Sequence, residues 1–406
     1  MLRRSSRPER DGCPGALRVH QAADGGLARI RVPGGALTPA QVRALAAAAG
    51  LGDGGWELTS RANLQVRGLP SGAEHELAAR LREAGLLPSA THERVRNIIG
   101  SPSADGRELV DVRAVAAELD AALCGTPALA ELPGRFLFAI DDGSGDVSSL
   151  GADVGLRALD ANTVALLLAG ADSGVRKTPQ RAVGTAIAAA EAFLAEKAAQ
   201  GSQAWRLAEL VGGARRIAER LGAEAVPVEP VAPPSTHAQV GRAHRPDGTV
   251  AAVAGAPLGR LAPDQVDIIT AASGAAGELR LTPWRTLVLP GMRPDEADRW
   301  LSELGARGLL VDPASDGLGV TTCAGRPGCA KSRADVRADA RRAVPPGDLP
   351  VHWSGCERRC GRPPGRVVEV LATGDGYEVG LDGATWTSAA DVDQVSAALG
   401  AARRTV

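Results

Sequence analysis

Four of the six cysteines fall between Thr321 and Cys360, as Cys323-x5-Cys329 and Cys356-x3-Cys360. Each pair is close enough to grip one small inorganic centre, and the stretch between them can hold a helix and a strand that bring the pairs together. Glycine and proline surround both pairs, so the thiolates sit on tight loops whose backbone N–H groups can point at sulfur. Structural zinc usually takes two short pairs of the C-x2-C to C-x4-C kind, and these gaps are unusual for it. A [4Fe–4S] cluster held by four thiolates tolerates many spacings. Disulfides are a third option, disfavoured in a reducing compartment. The bland alternative is four unrelated thiols, some buried as small hydrophobes.

The elements that must position these groups come from a chain of 406 residues, long enough for two or three domains. The formal net charge of −1 argues against a general nucleic-acid binder, which needs a basic face. Aromatics are 2% of residues, so the cores are expected to be built from small aliphatics. No run of about 18 apolar residues exists, so no membrane span is expected. The first ten residues are basic but lack the apolar stretch of a signal peptide, and a cytoplasmic location is the expectation.

Leu27-Ala-Arg-Ile-Arg-Val-Pro33 alternates like a strand. Thr38 and Pro39 then start a helix that stops at Gly50. A second strand over 56–67 and a second helix over 74–84 complete a β-α-β-α unit. This unit repeats. Leu261-Ala-Pro-Asp-Gln-Val266 echoes Leu37-Thr-Pro-Ala-Gln-Val42, Leu281-Thr-Pro-Trp-Arg285 onward aligns with Leu58-Thr-Ser-Arg-Ala62 onward, and Leu304 to Leu310 echoes Leu81 to Leu87. Weaker echoes pair Asn97-Ile-Ile-Gly-Ser-Pro102 with Thr322-Cys-Ala-Gly-Arg-Pro327, and Leu132-Pro-Gly-Arg-Phe136 with Leu349-Pro-Val-His-Trp353. On that alignment Ile98 and Ala104 stand where the second half has Cys323 and Cys329, so only the second half can carry the metal centre. Ala-rich stretches over 108–123, 178–199 and 205–221 predict a helical region between the halves, and a Pro-rich linker spans 226–239.

Duplicated halves with C-x5-C and C-x3-C late in the chain resemble the nitrite and sulfite reductase family. The likeness covers about residues 15–395. It implies an α+β fold: paired ferredoxin-like half-domains about a pseudo-twofold axis plus two α/β domains, with a [4Fe–4S] cluster on the last. The boundaries expected are 15–88 for the first half-domain and 89–225 for an α/β domain without cluster ligands. The second half-domain is then expected over 240–308 and the cluster domain over 309–395. Within the family, Gly12-Cys-Pro-Gly-Ala-Leu-Arg18 and Leu281-Thr-Pro-Trp-Arg285 look like the precorrin-3B synthase branch. That branch implies an oxidoreductase of monooxygenase type in aerobic cobalamin biosynthesis. Precorrin-3A and dioxygen are its substrates, an NADH-linked or ferredoxin-like donor supplies electrons, and a mononuclear non-haem iron joins the cluster. The sulfite-reducing branch has an Asn-Gln pair where this chain has Trp284-Arg285, and two lysines where it has Arg135 and Leu137. A sirohaem-dependent nitrite or sulfite reductase is the alternative. A zinc-stabilised, non-catalytic protein is a third reading.

The resemblance assigns Cys323, Cys329, Cys356 and Cys360 to the cluster. It assigns Arg61, Arg96 and Arg135 to the catalytic face, and Arg61, Asn63, Arg96, Arg135 and Arg285 to the carboxylates of a uroporphyrinoid, which guanidinium forks hold bidentately. Each has a structural reading beside it: Arg61 as a solvated strand residue, Asn63 as the end of a strand pair. His352 either ligates iron or packs beside Trp353. Cys13 is read as a loop thiol and Cys124 as a helix-end thiol.

Overall fold

The computed structural model describes residues 13–223, 240–363, 365–381 and 384–404, so the linker expected at 226–239 lies outside them. Four five-stranded sheets organise the chain. In the first, His20–Ala22, Gly25–Ile30, Leu64–Leu69 and Trp56–Leu58 pair antiparallel, and Arg260–Leu261 from the second half closes the edge. The second sheet mirrors it: Gly241–His244, Val250–Gly255, Thr286–Met292 and Leu279–Leu281 are closed by Ala36–Leu37 from the first half. Each half therefore caps the other's exposed sheet edge, which would otherwise leave N–H and C=O groups unpaired. One core spans both halves, with Val42, Leu45 and Trp56 packed in the same cluster as Val266, Ile269 and Leu304.

The helices start where the sequence places them, for local reasons. Thr38 caps Pro39–Ala49, its hydroxyl accepting from Gln41 N, while Gln41 Oε1 accepts from Thr38 N at 3.0 Å. At Pro263–Ala276 the glutamine arm persists, Gln265 Oε1 accepting from Ala262 N at 2.9 Å. The duplication is also written in strained backbone. Ala62 (φ 53°) and Arg285 (φ 61°) occupy equivalent left-handed positions, and Leu258 (φ 56°) stands where the first half has Gly34 (φ 69°).

The region between the halves is a mixed domain, not the helical one that its alanine content suggests. Ile98–Gly100, Phe138–Asp141 and Val154–Ala158 run parallel, then Val164–Leu168 and Ala171–Lys177 return antiparallel. Val112–Gly125 and Pro179–Ala199 pack on this sheet. Trp205 to Leu221 is not one helix: a turn over Leu207–Glu209 precedes a short helix, Gly213–Arg220. The strands are short, and three of them are entirely buried apolar runs or nearly so, lacking the alternation that marks a half-exposed strand.

The last sheet repeats this topology: Val320–Thr322, Val351–Ser354 and Val368–Ala372 are parallel, then Tyr377–Leu381 and Ala384–Ala389 are antiparallel. Its register corrects the alignment. Ile98 pairs with Phe138 as Val320 pairs with Val351. Beyond the strand, Ser101 N donates to Ile140 O at 2.9 Å, as Cys323 N donates to Trp353 O at 2.9 Å. Ser101, not Ile98, is thus the counterpart of Cys323, and Ile140, not Phe136, that of Trp353. The echoes followed proline and glycine in the flanking loops, where the halves differ in length.

Candidate metal centre and the arginine face beside it

The cysteine loops leave the ends of two adjacent parallel strands. Cys323 follows Val320–Thr322 and Cys356 follows Val351–Ser354, so strand pairing alone brings the loops together. Gly355 N donates to Cys323 Sγ at 3.2 Å. Arg333 N donates to Gly355 O at 2.9 Å, fastening the first loop to the second, and Cys329 N donates to Gly325 O at 2.8 Å. Gly355 has to lack a side chain, because a Cβ there would lie 1.8 Å from Ser332 Oγ.

The four thiols lie in one another's field. Burial pushes the Cys323 thiol up, and Cys360 and Cys356 push it further, against the N–H groups of Gly355 and Gly325. Burial likewise raises Cys360; Arg358 opposes this, and Cys356 and Cys329 add to it. Two buried thiols held up in this way, with two more cysteines beside them, are a natural arrangement for ligands of a shared cation. Among the described residues, the group with three ligand atoms within 4.8 Å of one another is Asp141, Asp142 and Asp146, and the cysteines are not part of it. No three of the four sulfurs therefore lie within 4.8 Å of one another, whereas a single tetrahedral zinc with 2.3 Å bonds would hold them about 3.8 Å apart. An all-thiolate set supplied with an N–H donor to sulfur fits a [4Fe–4S] cluster.

Arg61 lies against the neighbouring α/β domain, Nη1 donating to Gly134 O at 3.5 Å. Burial lowers it to about 10, with Arg206 and Arg29 adding repulsion. Arg135, the next residue after Gly134, is exposed and stacks 4.8 Å from the Trp205 ring. Arg61 therefore touches the backbone next to Arg135, while the Arg135 guanidinium is turned to Trp205. Arg31, which the sequence reading did not single out, joins them. It is 3% exposed, gives Nε and Nη2 to Arg94 O, and leaves Nη1 buried with no hydrogen-bond partner among the described residues. Burial lowers Arg31 to about 9, and Arg29 and Arg61 contribute. Strand alternation in Leu27-Ala-Arg-Ile-Arg-Val assigns Arg29 and Arg31 to a polar face. That the face meets another domain rather than water is a tertiary fact. Guanidinium groups gathered this way, bonded to neutral carbonyls, suit a polyanion.

Other candidates are spent elsewhere. Arg96 is 2% exposed and locked bidentately to Asp120, at 2.7 and 2.6 Å, with Nη1 on Leu86 O at 2.9 Å. It shares a shallow, water-sized pocket with Arg29, Arg31 and Glu93, and its fork is already filled. Asn63 is 1% exposed; its Oδ1 accepts from Val32 N at 2.9 Å and its Nδ2 reaches Asn97 Oδ1 at 3.4 Å. Its amide braces the chain rather than facing a ligand. Arg285 points at the cysteine loop, Nη2 donating to Gly361 O at 2.7 Å. His352 is fully buried, bonded to Thr321 Oγ1 at 2.9 Å and to Cys360 O at 3.2 Å. Burial and Arg285 lower it to about 3, and those two bonds occupy both ring nitrogens. Cys13 lies in the field of Arg31 and Arg61. Cys124 ends the helix Val112–Gly125 beside Asp120 and Arg96.

A family model described as the nitrite/sulfite reductase ferredoxin-like half domain matches residues 20–84 and 242–307, the two sheets that exchange edge strands. The Mycobacterium tuberculosis NirA protein has the same fold, with a TM-score of 0.74 at 20% identity over 92% of this chain and 79% of that one. A precorrin-3B synthase from Sinorhizobium sp is 29% identical across 92% of this chain and 83% of its own length. Residues 20–84 and 242–307 thus carry the half domain of the nitrite/sulfite reductase family, and most of the chain is similar to proteins of that family. Another relative, a ferredoxin–nitrite reductase from Synechococcus elongatus, is 28% identical across 83% of this chain and 74% of its own. Like these oxidoreductase relatives, this nitrite/sulfite reductase-like chain is an enzyme. Among its described residues, no helix is long and apolar enough to cross a membrane.

Proposed function

We propose that this chain is an oxygen-dependent tetrapyrrole hydroxylase of the precorrin-3B synthase kind. It converts precorrin-3A by hydroxylation and γ-lactone formation. One atom of dioxygen enters the substrate and the other leaves as water, with two electrons from an external donor. Arg31, Arg61 and Arg135 hold substrate carboxylates. Cys323, Cys329, Cys356 and Cys360 hold a [4Fe–4S] cluster, which when bound transfers single electrons.

The observation that carries this reading is the meeting of Leu137 and Trp284. Leu137 stands where the sulfite-reducing pattern has a lysine, and Trp284 where it has a polar side chain. Here the two pack in one apolar cluster with Ile99, Ala139, Val147 and Ala152. Reducing a small oxyanion calls for positive charge and proton donors above the reacting atom. An apolar wall supplies neither, and it suits a neutral gas and the face of a macrocycle. The mononuclear iron implied by this branch finds no open ligand set at Asp141, Asp142 and Asp146. Their carboxylates accept from Ser148, Ser103 and Ser101 hydroxyls and from the N–H groups of their own loop.

The test is a single turnover of precorrin-3A under isotopically labelled dioxygen. Label in the hydroxylated lactone supports the proposal, and product formed without oxygen overturns it. The likeness to ferredoxin–nitrite reductases favours the second reading, a sirohaem reductase. Haem-type absorbance in the purified protein together with turnover of nitrite or sulfite would establish that reading instead.

A further inference from the structure

Two arginines, one from each half-domain, reach across to a carbonyl directly beside a cluster cysteine. Arg67, on Leu64–Leu69, donates Nη2 to Gly328 O at 2.8 Å, the residue before Cys329. Arg285 donates Nη2 to Gly361 O at 2.7 Å, the residue after Cys360. Both are buried, 4% and 8% exposed. Each contact needs a glycine. A Cβ on Gly328 would lie 2.9 Å from Asp24 Oδ2, and a Cβ on Gly259 would lie 2.5 Å from Arg285 Cδ.

They differ in charge balance. Arg67 is neutralised by Asp24, with bidentate bonds of 2.9 Å, and lies 3.7 Å from Glu57. Arg285 has no carboxylate within ion-pair distance among the described residues, and its neighbour His352 gives both ring nitrogens to Thr321 Oγ1 and Cys360 O. Its position is also costly to the backbone, which is left-handed at φ 61° where the first half carries Ala62. A buried guanidinium without a counter-charge is expensive unless something anionic arrives. A [4Fe–4S] cluster on four thiolates carries net negative charge in both of its usual oxidation states, and reduction adds one more.

We propose that Arg285 is a buried counter-charge of the cluster, added to the exposed Arg358 that already acts on Cys360, whereas Arg67 is a neutral strap that only positions the Cys329 loop. This rests on the cluster reading and reassigns Arg285 from the substrate to the cluster domain. Arg285 is thus a positioning and charge-balancing residue that stabilises the reduced cluster.

The experiment uses the full chain, purified anaerobically and reconstituted with iron and sulfide, as wild type, Arg285→Met, Arg285→Lys and Arg67→Met. Methionine and lysine leave the left-handed backbone as strained as arginine does, so backbone relief does not enter. Three readouts are taken: cluster midpoint potential followed by electron paramagnetic resonance, the rate of iron loss to a chelator, and urea stability with and without cluster. Arg285→Met is expected to shift the midpoint to more negative potential, and Arg285→Lys to restore most of that shift. Arg67→Met is expected to speed iron loss several-fold with little change in potential. Without cluster, Arg285→Met is expected to be at least as stable as wild type; with cluster, less stable. A cluster whose potential and chelation rate are unchanged in Arg285→Met overturns the proposal. So does an unchanged cluster accompanied by weakened tetrapyrrole binding, which would return Arg285 to the substrate. A wild-type protein that takes up no iron and sulfide overturns the cluster reading itself, a distinguishable result.

Discussion

Asp120 touches no candidate ligand, yet its replacement should be among the most damaging single changes in the first α/β domain. Its carboxylate and the Arg96 guanidinium form a bidentate pair whose side chains are 15% and 3% exposed. In Asp120→Ala the guanidinium keeps Leu86 O but loses both charged bonds. Breaking one side of a buried pair costs about 3–5 kcal/mol, because an uncompensated charge stays behind. With a urea slope of about 2–3 kcal/mol/M, the unfolding midpoint of this domain should fall by about 1–2.5 M. Arg96→Met in the same chain removes the stranded charge, so the double variant should recover part of the loss; the cycle Asp120→Ala, Arg96→Met and both gives the coupling. Cys124 reports locally. Asp120 helps burial hold its thiol up, while Arg96 pulls it down. Removing Asp120 should therefore speed alkylation of Cys124 at mildly alkaline pH. An unchanged midpoint in Asp120→Ala would refute the structural reading of Arg96, and Arg96→Met with normal stability but lost tetrapyrrole affinity would return it to the site.

Asp146 is raised to about 7 by burial, with Asp141 and Asp142 adding repulsion against the Ser101 hydroxyl bond. Its folded value lies above its unfolded value near 3.8, so its contribution is fully present below about pH 4 and is lost as pH rises through 7, up to about 4 kcal/mol. Asp146→Asn should accordingly stabilise the protein at pH 8 far more than at pH 5 in matched urea titrations; equal effects at both would refute it. Arg61→Met should weaken binding of a porphyrin polycarboxylate about tenfold or more, the scale of a lost charged hydrogen bond, measured by fluorescence titration. Unchanged affinity would remove Arg61 from the face. Gly355→Ala should lower bound iron, because its Cβ would meet Ser332 Oγ and displace the loop that donates to Cys323 Sγ. Pairing it with Ser332→Gly should restore iron in part, and normal iron content in Gly355→Ala alone would show the loop to be pliant.

The ferredoxin-like halves were readable because their signals are local. Thr38 and Gln41 write a helix start in four residues, and the echo around Gln265 writes it again. The first α/β domain was legible only in its helices, since Phe138–Asp141 and Val164–Leu168 are buried throughout and carry no period for a strand rule to find. The internal bonding of Arg96 and Asn63, expected to face a ligand, escaped the sequence for a related reason. A motif gives residue type and neighbours in the chain, whereas the partners that fill their hydrogen bonds, Asp120 and Asn97, lie 24 and 34 residues away.

What separates the two halves chemically is narrow. Their backbones agree down to the left-handed turns at Ala62 and Arg285 and the N–H bonds of Ser101 and Cys323. The side chains at those matched points do not agree. Ser101 ties to Asp146 in a loop closed by its own hydrogen bonds, while Cys323 waits for a cation with three other thiols. Ala62 bears no charge, while Arg285 buries one beside the cysteine loop. Arg61 faces Gly134 with a guanidinium, and its mate Trp284 fills the apolar cluster around Leu137. A duplicated frame with identical chemistry in both halves would hold two clusters or none. Substitutions at these few equivalent positions gather the four thiols in one half and leave none of them at the matching points of the other, so an asymmetric set of side chains sits on a symmetric fold.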